Sequence, residues 1–185
     1  MKITYTAFHG HTSIATGELS ELLPAVQRYR ASHPESNPLI FRHDTGKQVD
    51  FDFSGSEEEL LARYSPPAKK KGPGRPRLGV VCNEICLLPK HWEWLERQQQ
   101  TSSAVIRRLI DRAMNNPSPE ERTRERIEAA HSFMWAIAGD LTGFEEASRA
   151  LYARKWEILD RLIAPWPKDV VGQINMLLGE ARKLT

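Results

Sequence analysis

The residues of this chain best equipped to act on another molecule lie near its middle, where Lys69-Lys70-Lys71 is followed by Gly74-Arg75-Pro76-Arg77. Five cations stand in this stretch without an acid, and the next carboxylate is Glu84. The formal charge of the whole chain is only +2, so the chain is no polycation. The preceding stretch is acidic, with Asp44, Asp50, Asp52, Glu57, Glu58 and Glu59 against Arg42 and Lys47. Such segregation points to one localised anionic partner rather than to general stickiness. Gly74 has no Cβ to hold the backbone off a groove floor, and Pro76 fixes φ and keeps the chain extended. Arginine is favoured where a narrow groove concentrates negative potential, and the lysines neutralise phosphates whatever the base sequence. The plainer alternative is a solvated basic linker, or a tether attracted to the acidic residues 44–59.

Other chemistry finds less support. Cys82, Cys86 and His91 have the spacing Cys-x3-Cys-x4-His, which is not a familiar zinc pattern, and small buried hydrophobes are the better expectation for the cysteines. His9 and His11 lie two apart with no further ligand nearby. Asp140, Glu145 and Glu146 sit at a helix break, where capping and dipole complementation explain them. No nucleophile elbow, phosphate-cradling glycine loop or His-Glu-x-x-His pattern occurs. The expectation is a protein without catalytic residues, metal or cofactor, and not an enzyme.

Gly74-Arg75-Pro76 with its flanking cations resembles the AT-hook, a short motif that lies along the minor groove of A·T-rich DNA. That resemblance implies DNA as the partner, with Lys69, Lys70, Lys71, Gly74, Arg75, Pro76 and Arg77 in contact. A second resemblance follows directly. Cys82 to Leu88 reads as a strand that ends at Pro89, and Pro89 suits the first position of a helix through Arg97. Thr101-Ser102-Ser103 then caps a helix carrying Val105, Ile106, Leu109, Ile110 and Ala113. This order resembles the ribbon-helix-helix DNA-binding families, in which two chains pair their strands. The resemblance implies a homodimer, a phosphate clamp at Thr101, Ser102 and Ser103, and base-reading positions at Ile85 and Leu87. Both of the latter are apolar here, whereas base edges are normally read by hydrogen-bonding side chains. A purely structural strand and helical hairpin is the alternative. Trp92 and Trp94 fit core or dimer packing better than base stacking.

These motifs must be held by recognisable elements. Residues 1–64 read as a small α+β unit in the order strand, strand, helix, strand, strand, helix. Lys2 to Phe8 alternates with period two, Thr12 to Thr16 returns, and Leu22, Leu23, Val26 and Tyr29 mark a helix with Ser20 as its cap and Pro24 near its start. Asp44-Thr45-Gly46-Lys47 is a hairpin turn between Leu39–Phe41 and Val49–Phe53, with glycine supplying a positive φ. Ser56 to Glu59 is a capping box opening a short helix to Tyr64. Residues 65–78, with four prolines and two glycines, form a flexible basic linker. Residues 79–116 form the strand-helix-helix segment. Residues 117–185 read as a three-helix bundle opened by Ser118-Pro119-Glu120-Glu121, with Trp135, Trp156 and Trp166 in its core.

The runs Gly79-Val80-Val81, Leu87 to Leu95, Ala138 to Leu141 and Gly143 to Ala147 resemble a bacterial family known only as a domain of unknown function, number twenty-two thirty-nine. This resemblance implies a bacterial origin and lends no residue a role. With 40% hydrophobic and 27% charged residues the balance is globular, not disordered. No run approaches the roughly 20 apolar residues that cross a bilayer, and no secretory signal opens the chain. The natural location is the cytoplasm, with association to the nucleoid under the DNA reading. The fold expected is α+β, a small antiparallel-sheet domain, a basic linker and a mainly helical C-terminal half. The function expected is DNA binding of a regulatory or architectural kind. The alternative is a non-enzymatic scaffold or protein-interaction module.

Overall fold

The alternation of Tyr5, Thr6, Ala7 and Phe8 is realised as a strand covered on both faces. The computed structural model describes residues 3–64, 81 and 83–184. β1 (Tyr5–His9) pairs antiparallel with β2 (Thr12–Gly17) and with β3 (Leu39–Arg42), and β4 (Gln48–Val49) adds to β3. The sheet order is β2-β1-β3-β4. The helices are α1 (Leu19–Ser32), α2 (Glu57–Tyr64), α3 (Pro89–Glu96), α4 (Ser102–Asn115), α5 (Pro119–Ala138), α6 (Phe144–Tyr152), α7 (Trp156–Ile163) and α8 (Lys168–Leu178). The protein is therefore α+β, with a small antiparallel sheet at its N-terminal end, as expected.

Successive side chains of a strand point to opposite faces. Tyr5, Ala7 and Ile40 join Leu22, Leu23 and Val26 of α1 and Leu60 of α2. Phe8 and Phe41 point the other way and meet Phe133 of α5, at ring-centroid separations of 5.3 and 5.1 Å. That second core continues through Met134, Leu151, Leu159, Ile163, Val170 and Ile174 of α5 to α8. The stretches Met1–Pro66 and Pro119–Thr185 thus form one compact unit, and Pro67–Ser118 forms another.

Local signals were mostly obeyed. Gly46 has φ +64, and its N–H donates to the Arg42 carbonyl at 2.8 Å. The capping box is made in both directions, Glu59 N–H to Ser56 Oγ at 3.2 Å and Ser56 N–H to Glu59 Oε2 at 2.9 Å. Several expectations need correction. The cap of α1 is Glu18, not Ser20, so Pro24 falls well inside the helix and leaves the Ser20 carbonyl without its usual donor. The buried Leu22, Leu23 and Val26 hold the helix across that gap. The C-terminal stretch is four helices, not three, because Arg154 takes a left-handed φ of +55 and ends α6. Trp135 is 69% exposed rather than a core residue. The buried stripe of α5 runs through Ile127, Ala130, Phe133, Met134 and Ile137, and one further residue turns the side chain about 100° away. Residues 83–88 form no strand within the chain.

A buried histidine ties the sheet together. Thr4 Oγ1 and Thr6 Oγ1 lie 2.8 and 2.7 Å from the two ring nitrogens of His43, and Thr6 Oγ1 is 2.9 Å from Thr16 Oγ1. A neutral imidazole satisfies this arrangement, donating to one hydroxyl and accepting from the other. Burial, reinforced by the charge of Arg126 and opposed by Asp44, holds His43 below the ordinary histidine range. The unfolded chain therefore binds this proton more readily. His43 contributes its full stability above about pH 6.5, and the contribution declines as the pH falls from there towards the lowered native value. Urea unfolding followed from pH 7 to 5 is expected to show falling stability with a shallower slope in His43→Gln. Equal slopes in the two proteins would remove His43 from the account.

The turn at Gly46 also makes a sharp prediction. A Cβ there would stand 1.7 Å from the Ala129 carbonyl oxygen of α5, so the hairpin rests directly on helix backbone. Gly46→Ala is expected to cost more than about 3 kcal/mol, combining left-handed strain with a clash that backbone cannot relieve. Gly10→Ala, at φ +56 with nothing within 4 Å, should cost only about 1 kcal/mol. Denaturant midpoints measure both, and similar losses would mean that the turn does not bear on α5.

Candidate nucleic-acid interface

Pro89 opens α3 at its first position, where a missing N–H costs nothing, with Leu88 extended before it at φ −66 and ψ 151. Thr101 stands at the N-cap of α4, also extended, at φ −59 and ψ 145. Its carbonyl accepts from the N–H groups of Ala104 and Val105, at 2.9 and 3.0 Å, while its hydroxyl makes no cap bond. The first N–H groups of a helix have no partner inside it. At the start of α4 those of Ser102 and Ser103 are thus directed outward beside the positive end of the helix dipole. The three residues expected to clamp phosphate are therefore gathered at one helix start. Lys69, Lys70, Lys71, Gly74, Arg75, Pro76 and Arg77 lie outside the described residues, as does Cys82.

Within α3 and α4 only Leu95 and Val105 are buried. Ile85, Leu88, Trp92, Trp94, Leu109, Ile110 and Met114 are all exposed, Met114 by 75%. An amphipathic pair of helices with so bare an apolar side has not completed its core among the described residues of the unit. Cys86 is exposed as well, a correction to its expected burial. Among the described residues no segment pairs with residues 83–88 to cover it. Ile85 is exposed and Leu87 half-buried, so neither is withdrawn from contact.

The electrostatic partition is sharper than the linker motif alone suggested. Residues 67–118 hold ten of the 26 Lys and Arg but four of the 24 Asp and Glu, a formal charge of +6. The remaining residues hold sixteen cations against twenty acids, a charge of −4. Half of the basic unit's cations lie beyond the linker, at Lys90, Arg97, Arg107, Arg108 and Arg112, all exposed. Motif reading passed over Arg107, Arg108 and Arg112 because they belong to no motif. Summing charge over the unit would have found them.

His9, His11, Glu145 and Glu146, considered for other chemistry, have structural employment. His9 Nδ1 is 2.9 Å from the Tyr29 hydroxyl, and His11 Nε2 donates to the Ile137 carbonyl at 3.0 Å. Glu145 and Glu146 lie in the first turn of α6 behind Gly143 at φ +82. Among the described residues no three His, Cys, Asp or Glu gather as a metal site would require. No helix among them is long and apolar enough to cross a membrane.

A family model described as an uncharacterised protein conserved in bacteria (DUF2239) matches residues 4–178. No curated protein matches the chain, and no solved structure does.

Proposed function

The chain belongs to the DUF2239 family of uncharacterised bacterial proteins, a membership that assigns no activity, and we propose that it is a DNA-binding protein of regulatory or architectural kind. The observation that carries this reading is the coincidence of charge with architecture. A formal charge of +6 is concentrated in residues 67–118, while the rest of the chain sums to −4. A polyanion attracted to one unit and repelled by the other is the partner such a division suits. Arg75 and Arg77 enter the minor groove of A·T-rich DNA in this reading, with Lys69, Lys70 and Lys71 on phosphates. The start of α4 at Thr101, Ser102 and Ser103 holds a further phosphate.

The second part of the proposal is a homodimer through α3, α4 and the segment before them. Pairing of residues 83–88 between two copies would supply the ribbon, and the exposed side of Leu109, Ile110 and Met114 would complete the core. Sedimentation of the full chain is expected to show a concentration-dependent dimer that Ile110→Glu converts to monomer. A monomer at all concentrations would remove this part of the proposal and leave the linker to act alone.

DNA binding itself is tested by fluorescence anisotropy against A·T-rich and G·C-rich duplexes over a salt series. The five linker cations alone would give a slope of log K against log salt of roughly −4 to −5. Arg75→Ala/Arg77→Ala is expected to abolish the A·T preference and to make the slope shallower by about 2. The exposed apolar side of α3 and α4 also favours a second reading, a protein-interaction module without a nucleic-acid role. Failure to bind either duplex at low salt, with the dimer intact, would decide for that reading.

A further inference from the structure

The acidic unit carries a surface that neither the fold nor the DNA reading uses. Trp135 projects from α5 with 69% of its surface exposed. Its ring lies 5.8 Å from that of Phe144 in an edge-on arrangement and 6.5 Å from His131. Two open hollows flank the indole. One, of about 550 Å³, is lined by His11, Leu39, Ile137 and Asp140 among others, and the second, of about 350 Å³, by Leu141, Phe144, Glu145 and Glu146. Trp135 and Gly139 line both, so together they make one track across a single aromatic ring.

The charged groups along this track have one sign. Asp140, Glu145 and Glu146 line it, and neither hollow is lined by a lysine or arginine. Arg149 reaches Glu146 at 2.8 Å and Glu145 at 3.7 Å from its own helix, but it does not line the hollows. His11 is committed to the Ile137 carbonyl, and burial holds His131 below the ordinary histidine range. Among the described residues Asp140 makes no ion pair. An exposed indole face beside an uncompensated carboxylate is the chemistry that recognises an organic cation. The planar guanidinium, which can stack on the ring and fork to the carboxylate at once, uses both groups.

Shape selects the form of that cation. Each hollow is within the range of about 300–1,000 Å³ that ligand sites occupy, but both are open to solvent rather than enclosed. Gly10 and Gly143 line the hollows with no other atom within 4 Å of where a Cβ would stand, so a backbone can approach the track closely there. We propose that this track binds an extended, arginine-bearing segment of a partner protein, the guanidinium lying over Trp135 and pairing with Asp140. The site is independent of the DNA reading, since it belongs wholly to the unit of opposite charge.

The test uses the full chain and short fluorescent peptides of equal length, one Arg-rich, one Glu-rich and one uncharged, followed by polarisation. The Arg-rich peptide is expected to bind, and Trp135→Ala to weaken it roughly tenfold, the scale of a partly desolvated cation–π contact. Asp140→Asn should weaken it about threefold, as loss of one exposed charge pair would. Glu57→Gln/Glu58→Gln, which removes the same kind of charge from α2, should leave binding unchanged and so exclude general attraction to an acidic surface. Trp135 is largely exposed, so its replacement is not expected to unfold the unit, and circular dichroism checks that point. The proposal is overturned if the uncharged or Glu-rich peptide binds equally well. It is also overturned if Trp135→Ala leaves the affinity of the Arg-rich peptide as it was, or if none of the peptides binds.

Discussion

The contact on which the larger unit depends is the meeting of Phe8, Phe41 and Phe133. Two of these rings come from neighbouring sheet strands and the third from a helix more than ninety residues later. Rings at 5.1 to 6.2 Å in edge-on and tilted arrangements gain beyond the apolar area they bury. Without the helix, the sheet would expose Phe8 and Phe41 on a bare face. Without the sheet, α5 would lose the surface its buried stripe is shaped to cover. Secondary contacts follow from this seating, including the His11 bond to the Ile137 carbonyl, the Ser13 N–H bond to Asp169 at 2.9 Å, and the rest of the Gly46 turn on Ala129. Each joins the sheet side to the C-terminal helices, and each requires close approach that only a packed core provides.

The basic unit is built on the opposite principle. Its helices bury Leu95 and Val105, while eight large apolar side chains are exposed in and before them. A unit of this size whose described helices bury only two side chains has little core to stabilise it alone. Under the proposed function, a proline-started helix and a capped helix with so bare an apolar side would complete their core by doubling, which is the physical argument behind the proposed dimer. The same bareness explains why residues 83–88 carry no strand. A strand's hydrogen bonds need a neighbour, none of the described residues supplies one, and under the proposed function it would come from another copy.

Much of the architecture was legible because its signals are local. Period-two alternation at Tyr5 to Phe8, the glycine of the hairpin turn and the reciprocal bonds of Ser56 and Glu59 each depend on a few adjacent residues. What could not be read was which face meets which. Alternation places Phe8 on one face of its strand but does not name Phe133, more than a hundred residues later, as its partner. The break at Arg154 was hidden because left-handed positions are usually marked by glycine or asparagine, and an arginine gives no such signal. Trp135 was misassigned because a large aromatic one position from a buried stripe looks like part of it. Of the candidate interface, the clamp residues were visible as a cap, whereas Arg107, Arg108 and Arg112 became significant only when charge was summed over a structural unit.

That summation bears on how two binding surfaces could serve one protein. Unit charges of +6 and −4 give the two parts opposite responses to any polyanion, and the response of each is screened beyond about 8–10 Å at ordinary salt. Under the proposed function, the basic unit holds phosphate while the acidic unit gains nothing from approaching it. The acidic unit is also the larger and more completely packed of the two, so its exposed indole is not a deficit of folding, as the bare helices of the basic unit are. An aromatic track bordered by carboxylates repels nucleic acid and attracts guanidinium, which makes competition between the two ligands for one surface unfavourable. Opposed charge in this way separates the two recognitions without requiring any change of shape in either unit.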